Sequence, residues 1–98
     1  MGRSGSEIPR AVHVRIGGRV QGVGFRYHAI RSAEACGVTG WVRNLGDGVV
    51  EVRAEGSQEA LEAFLASLRQ GPRMSRVEQV DACDVEATGA FRGFEVRY

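Results

Sequence analysis

The sequence predicts an α+β sandwich: a mostly antiparallel sheet with two helices on one face and solvent on the other. Three observations carry that prediction. Short runs of the chain alternate apolar with polar residues instead of being continuously apolar, as half-buried strands require. Two longer segments switch to a helical period. In sequence, the segments read β-α-β-β-α-β with a small extra strand, which is the ferredoxin-like order. That architecture hosts many unrelated functions, so it decides nothing about activity.

Each element has its own warrant. Ala11 to Ile16 places Val12, Val14 and Ile16 on one face of a strand and His13 and Arg15 on the other. A glycine loop follows, Gly17 to Gly24. From Phe25, with a helix starting near Arg26, Ala29, Ile30, Ala33 and Cys36 share one helical face, and Gly37 can end it. Thr39 to Arg43 and Val49 to Ala54 read as strands joined by the turn-rich Asn44 to Gly48. Ser57 suits the N-cap of a second helix, Glu59 favours its first turn, and Gly71-Pro72 stops it. Its apolar stripe is Ala60, Leu61, Phe64, Leu65 and Leu68. Each large member contributes about 1.5–3 kcal/mol when buried. Val77 to Val85 reads as a fourth strand in which Val77 and Val80 are out of phase, the mark of a bulge. A short terminal strand alternates Phe94, Val96 and Tyr98 with Glu95 and Arg97.

Length and composition bound the function. Ninety-eight residues with 43% hydrophobic content suit one domain with a modest core. Residues 1–10 read as a flexible lead-in and 11–98 as the domain. The 13 basic residues, all arginine, nearly balance 12 acidic ones, for a net charge of +1. Such a balance disfavours a protein that coats DNA or an anionic membrane. No apolar run approaches a membrane span, and the N-terminus has no apolar signal core, so a cytoplasmic location is expected. Cys36 and Cys83 have neither disulfide-framework nor zinc-site spacing and read as small core residues in a reducing cytosol. His13 and His28 are too isolated to be metal ligands; neither metal nor cofactor is expected.

The densest signal is Gly17 to Arg26, with four glycines and two arginines in ten residues. A Walker loop would need a lysine that this chain lacks, and the dinucleotide fingerprint would need glycine where Tyr27 stands. What remains is strand, loop and helix, a geometry whose backbone N–H groups can curl into an anion-binding nest. Arg26 can place a bidentate guanidinium beside it. The same spacing also fits a tight strand-to-helix turn with a solvated arginine. Spacing alone leaves both readings open. Asn44, before Leu-Gly-Asp-Gly, is likewise ordinary turn chemistry on spacing alone.

The residues also carry a resemblance. Gly18-Arg19-Val20-Gln21-Gly22-Val23-Gly24-Phe25-Arg26 resembles the first signature of the acylphosphatase family. Gly40-Trp41-Val42-Arg43-Asn44, then Gly48, Val50 and Gly56, resembles its second. The two stand in the family's order and at its separation, and the likeness runs from about Ala11 to Tyr98. The resemblance implies hydrolysis of the carboxyl-phosphate bond of small-molecule acyl phosphates. It implies a phosphate cradle made by the backbone amides of Arg19, Val20, Gln21, Gly22, Val23 and Gly24 with the guanidinium of Arg26. It implies that Asn44 holds the attacking water, and that the terminal carboxylate, at Tyr98, can steady the arginine. Inorganic phosphate would be product and competitive inhibitor.

An acyl phosphate is a mixed anhydride with a good leaving group, so little machinery is needed. The sequence presents no nucleophilic serine or cysteine beside a base and no carboxylate pair, which points to direct attack by water. Two other readings belong to different classes. One is an RNA-binding module of the same architecture, which would need aromatic residues on the open sheet face. The other is a regulatory domain that holds an anion without turnover, which would have no use for Asn44. No nucleic-acid or membrane partner is expected, and the monomer is the expected state.

Overall fold

The computed structural model describes residues 9–98. The lead-in expected over residues 1–10 therefore lies largely outside the described residues. The elements run β1 (Arg10–Arg19), α1 (Phe25–Cys36), β2 (Thr39–Asn44), β3 (Val50–Gly56), α2 (Gln58–Gln70), β4 (Arg76–Val85) and β5 (Phe94–Val96). They form one five-stranded sheet in the order β4-β1-β3-β2-β5. All neighbouring pairs are antiparallel except β2 with β5. This is the ferredoxin-like sandwich that the alternation predicts.

Alternation explains which face is covered. Val12, Val14 and Ile16 of β1, Val50, Val52 and Ala54 of β3, and Val42 of β2 all point to one side, where each is buried. Phe25, Ala29 and Ala33 of α1 and Leu61, Phe64 and Leu68 of α2 close over them as one contiguous core. Alanine at two of the three buried α1 positions lets that helix lie close to the sheet. The two helices end as expected, with Ser57 Oγ accepting from the Ala60 N–H at 3.1 Å and Gly37 left-handed at φ 78° after α1. No helix among the described residues is long and apolar enough to cross a membrane.

Four expectations need correction. β1 runs three residues past Ile16, because Gly17, Gly18 and Arg19 pair with Gln79, Val77 and Arg76 of β4. A Cβ at Gly18, where φ is +120°, would sit 2.2 Å from the Arg76 carbonyl oxygen, so glycine here lets two strands close. The register shift at Gly17/Gly18 leaves Glu78 unpaired, which is the expected bulge, and it turns both Val77 and Val80 toward the core. At the C-terminus β5 stops at Val96, leaving Tyr98 outside the strand and exposed. The cysteines are free, but only Cys36 is partly buried. Cys83 is exposed, because its register partner His13 puts it on the outer face of an edge strand.

The outer face is also less open than expected. Since β4 and β5 lie at opposite edges, the connection 86–93 crosses that face. There Glu55 accepts hydrogen bonds from Thr88 N–H, Thr88 Oγ1 and Gly89 N–H, and is itself buried. Burial pushes the Glu55 carboxyl up, but these donors and Arg53 outweigh it and hold the group below its usual range.

Candidate active site

The sheet register brings the two sequence motifs to one end of the molecule. Ile16 and Asn44 both pair with Val50, so β1, β3 and β2 share a row there. Two strand spacings, about 10 Å, separate its outer members. Beyond Ile16 the chain runs through Arg19 into the loop Val20–Gly24 and then α1; beyond Asn44 it enters the turn to β3. Loop, helix N-terminus and turn therefore meet at the same edge.

The loop is built to expose its backbone. Val20 is buried and anchors it, whereas Gly22 and Gly24 are exposed with φ of 76° and 81°. Left-handed backbone at two positions separated by one residue turns successive N–H groups in the same direction. Among the described residues no hydrogen bond runs from the N–H of Val20, Gln21, Gly22, Val23 or Gly24 to another group of the chain. α1 begins on Gly24, a residue without a side chain to cap it, in contrast to the Ser57 cap of α2. Its first turn contains no acidic residue. The end of α1 thus carries unmet donors and the positive end of the helix dipole, which together favour an anion.

Arg26 sits in that first turn, half-buried, with its guanidinium 5.5 Å from the centre of the Tyr98 ring. It forms no ion pair with a carboxylate among the described residues. The terminal carboxylate, expected to steady it, makes no ion pair with it among the described residues, and the Tyr98 ring is its neighbour there instead. Its donors are left for a ligand. Arg19, in contrast, projects an exposed side chain from the end of β1.

Asn44 is the last residue of β2 and faces the helices, as Val42 does. Its Oδ1 is buried and accepts no hydrogen bond from any described group of the protein. An acceptor in that state costs about 1–3 kcal/mol. The following turn is tightly closed: Leu45 N–H donates to the Val49 carbonyl at 2.8 Å, Gly48 N–H to the Leu45 carbonyl, and Val49 N–H to Asp47 Oδ1. The turn is thus made by the residues after Asn44, and the side chain of Asn44 takes no part in these bonds.

The side chain of Gln21 is a contact that the sequence reading did not anticipate, since it took Gln21 as a backbone donor only. Its Nε2 donates to the Leu45 carbonyl at 2.8 Å and to the Val49 carbonyl at 3.1 Å. The loop and the Asn44 turn are joined through it. A groove of about 580 Å³ between α1 and α2 touches the loop only at Val23 and Gly24; its lining includes neither Arg26 nor Asn44. No group of three or more His, Cys, Asp or Glu side chains that could hold a metal ion is present among the described residues.

The family profile described as Acylphosphatase matches residues 12–96. The chain belongs to the acylphosphatase family. An acylphosphatase of Salinibacter ruber is 51% identical over 88 residues, covering 90% of this chain and 93% of its own. Among solved structures, the acylphosphatase of Bacillus subtilis superposes with a TM-score of 0.88 at 34% identity, over 91% of this chain and 99% of its own. That of Coxiella burnetii gives 0.87 at 32% identity, over 99% and 100%. Hydrolysis of acyl phosphates is the activity of this family, and the chain is an acylphosphatase-type hydrolase with a small-molecule acyl phosphate as its substrate class.

Proposed function

We propose that residues 11–98 act as one catalytic domain that hydrolyses acyl phosphates by direct attack of water on phosphorus. The phosphoryl oxygens sit on the amides of Arg19 to Gly24 and on the Arg26 guanidinium, which supplies two parallel N–H donors. Asn44 holds a water in the same cradle. Water oxygen bonds to phosphorus as the bond to the carboxylate oxygen breaks, and the carboxylate leaves with the electron pair. A phosphoryl oxygen takes the water's proton. Carboxylate and inorganic phosphate are the products, with no covalent enzyme intermediate. The single observation that carries this reading is the uncapped α1 end, its loop amides unmet, beside the unpartnered Asn44 Oδ1. A water donating to that oxygen would remove the cost of burying it.

Rate enhancement then comes from preorganised charge and from positioning, both already paid for in folding. No resident metal or cofactor has a role in this scheme. Inorganic phosphate, by occupying the same cradle, acts as a competitive inhibitor. The enzyme works as a monomer in the cytoplasm; an exposed free Cys83 suits a reducing compartment. The RNA-binding alternative draws no support from the outer sheet face. Trp41 there is 9% exposed, and the guanidinium groups of Arg43 and Arg97 each stand 5.2 Å from its ring centre. His13 and Arg43 are both engaged with Glu51.

The test is hydrolysis of benzoyl phosphate in ¹⁸O-labelled water with EDTA present. Label in the phosphate and an unchanged rate after chelation are expected. Label in the benzoate, or activity lost to EDTA and restored by a divalent ion, would contradict the scheme.

A further inference from the structure

Asn44 is weakly supported where it stands. β5 pairs with β2 only from Gly40 to Val42, so at Asn44 the sheet holds β2 from the β3 side alone, through Val50. The residues that follow leave the sheet for the turn. Across from them, Gln21 directs its side-chain amide at two carbonyls of that turn, Leu45 and Val49, at 2.8 and 3.1 Å. These belong to residues already bonded to each other, Leu45 N–H to Val49 O. One carboxamide thus grips both sides of the hairpin neck immediately after Asn44.

The backbone of the same residue belongs to the phosphate loop, between buried Val20 and exposed, left-handed Gly22. We infer that Gln21 is the positioning residue for the attacking water: its carboxamide fixes Asn44 at a set distance from the loop that binds the phosphoryl group. The inference rests on the water-holding role proposed for Asn44. The phosphate does not need this clamp, since the loop amides lead directly into α1 and Arg26 stands in its first turn, so both follow the orientation of that helix. What the clamp governs is the separation between water oxygen and phosphorus, to which rate is acutely sensitive.

Four variants test it: Gln21→Met, which keeps length and loses both donors; Gln21→Glu; Asn44→Ala; and the double variant Gln21→Met/Asn44→Ala. Rates with benzoyl phosphate are expressed per folded molecule, using the emission of Trp41, the one tryptophan. Gln21→Met is expected to lower kcat by about 10²-fold while the inhibition constant of inorganic phosphate stays within about threefold. In the Asn44→Ala background the same change is expected to cost less than about threefold, because there is no held water left to misplace.

Gln21→Glu presents a carboxylate to two carbonyl oxygens at neutral pH and is expected to be as slow. Its protonated form supplies one O–H donor, so its kcat relative to the unaltered enzyme is expected to rise as pH falls toward about 5. Additive losses in the double variant, an inhibition constant that rises in step with the loss of kcat, or a flat relative pH profile would each overturn the inference. Full kcat in Asn44→Ala alone is a different outcome: it refutes the water-holding role of Asn44 itself.

Discussion

If Arg26 serves phosphate binding and not the fold, Arg26→Ala should weaken the one while sparing the other. In the folded protein its guanidinium has no carboxylate partner among the described residues and touches the ring of Tyr98, which is 98% exposed. An exposed cation–π contact of this kind contributes about 0.5–1 kcal/mol. Against it, a cation in the first turn opposes the helix dipole by about 0.3–1 kcal/mol. The two nearly cancel. Alanine is also the better helix former, so the net change in stability should lie within about 0.5 kcal/mol of zero. Binding has no such compensation. A charge-assisted hydrogen-bonded contact to phosphate is worth about 1.5–3 kcal/mol, a weakening of roughly 10- to 150-fold. The assays are competitive inhibition by phosphate and the urea midpoint. A variant that binds phosphate normally but unfolds at markedly lower urea would refute this reasoning and make Arg26 a structural residue.

Arg26→Lys should not restore activity, because a point charge cannot span two phosphoryl oxygens as the planar fork does; kcat within threefold of the unaltered enzyme would contradict this. Arg19→Ala removes only an exposed side chain and should leave the phosphate inhibition constant nearly unchanged. Acid should destabilise the fold through Glu51 and Glu55. Burial raises the Glu51 carboxyl, but hydrogen bonds from His13 and Arg43 and their charges outweigh it, and both glutamates are held below their usual range. Their contribution is full above the unfolded value, about 4.3, and is lost as pH falls through the lower folded values. Urea midpoints from pH 7 to 3 should drop steeply below about pH 4, and less so in Glu55→Gln; a flat profile would contradict the assignment. Ser57→Ala should cost about 1 kcal/mol through the lost cap of α2, with kcat untouched.

What the sequence reveals here follows the range of each interaction. α2 is readable because its cap, stripe and stop are all local, from Ser57 through Leu68 to Gly71. The bulge is readable too, since two valines three apart on one strand can face a core together only if a residue is looped out. β1 is misread at its end because Gly17 and Gly18 look like loop; they are sheet because β4, some sixty residues later, closes on them. Glu55 alternates to the outer face as expected, yet it is buried by a connection that local pattern does not place. For the site, the signatures name the loop, Arg26 and Asn44. The role of the Gln21 side chain escapes them. It depends on carbonyls 24 and 28 residues away, which carry no side-chain signal of their own.

Asn44→Ala addresses the central claim most directly, with kcat, the phosphate inhibition constant and the urea midpoint measured on the same preparation. If Asn44 holds the water, kcat falls by about 10²-fold or more while phosphate still binds within about threefold, since the interaction is used in the transition state and hardly in the ground state. Stability should change little, because the deleted Oδ1 bonds to no described group of the protein. A variant that is destabilised but fully active per folded molecule would return Asn44 to the turn and leave the loop as a passive anion site.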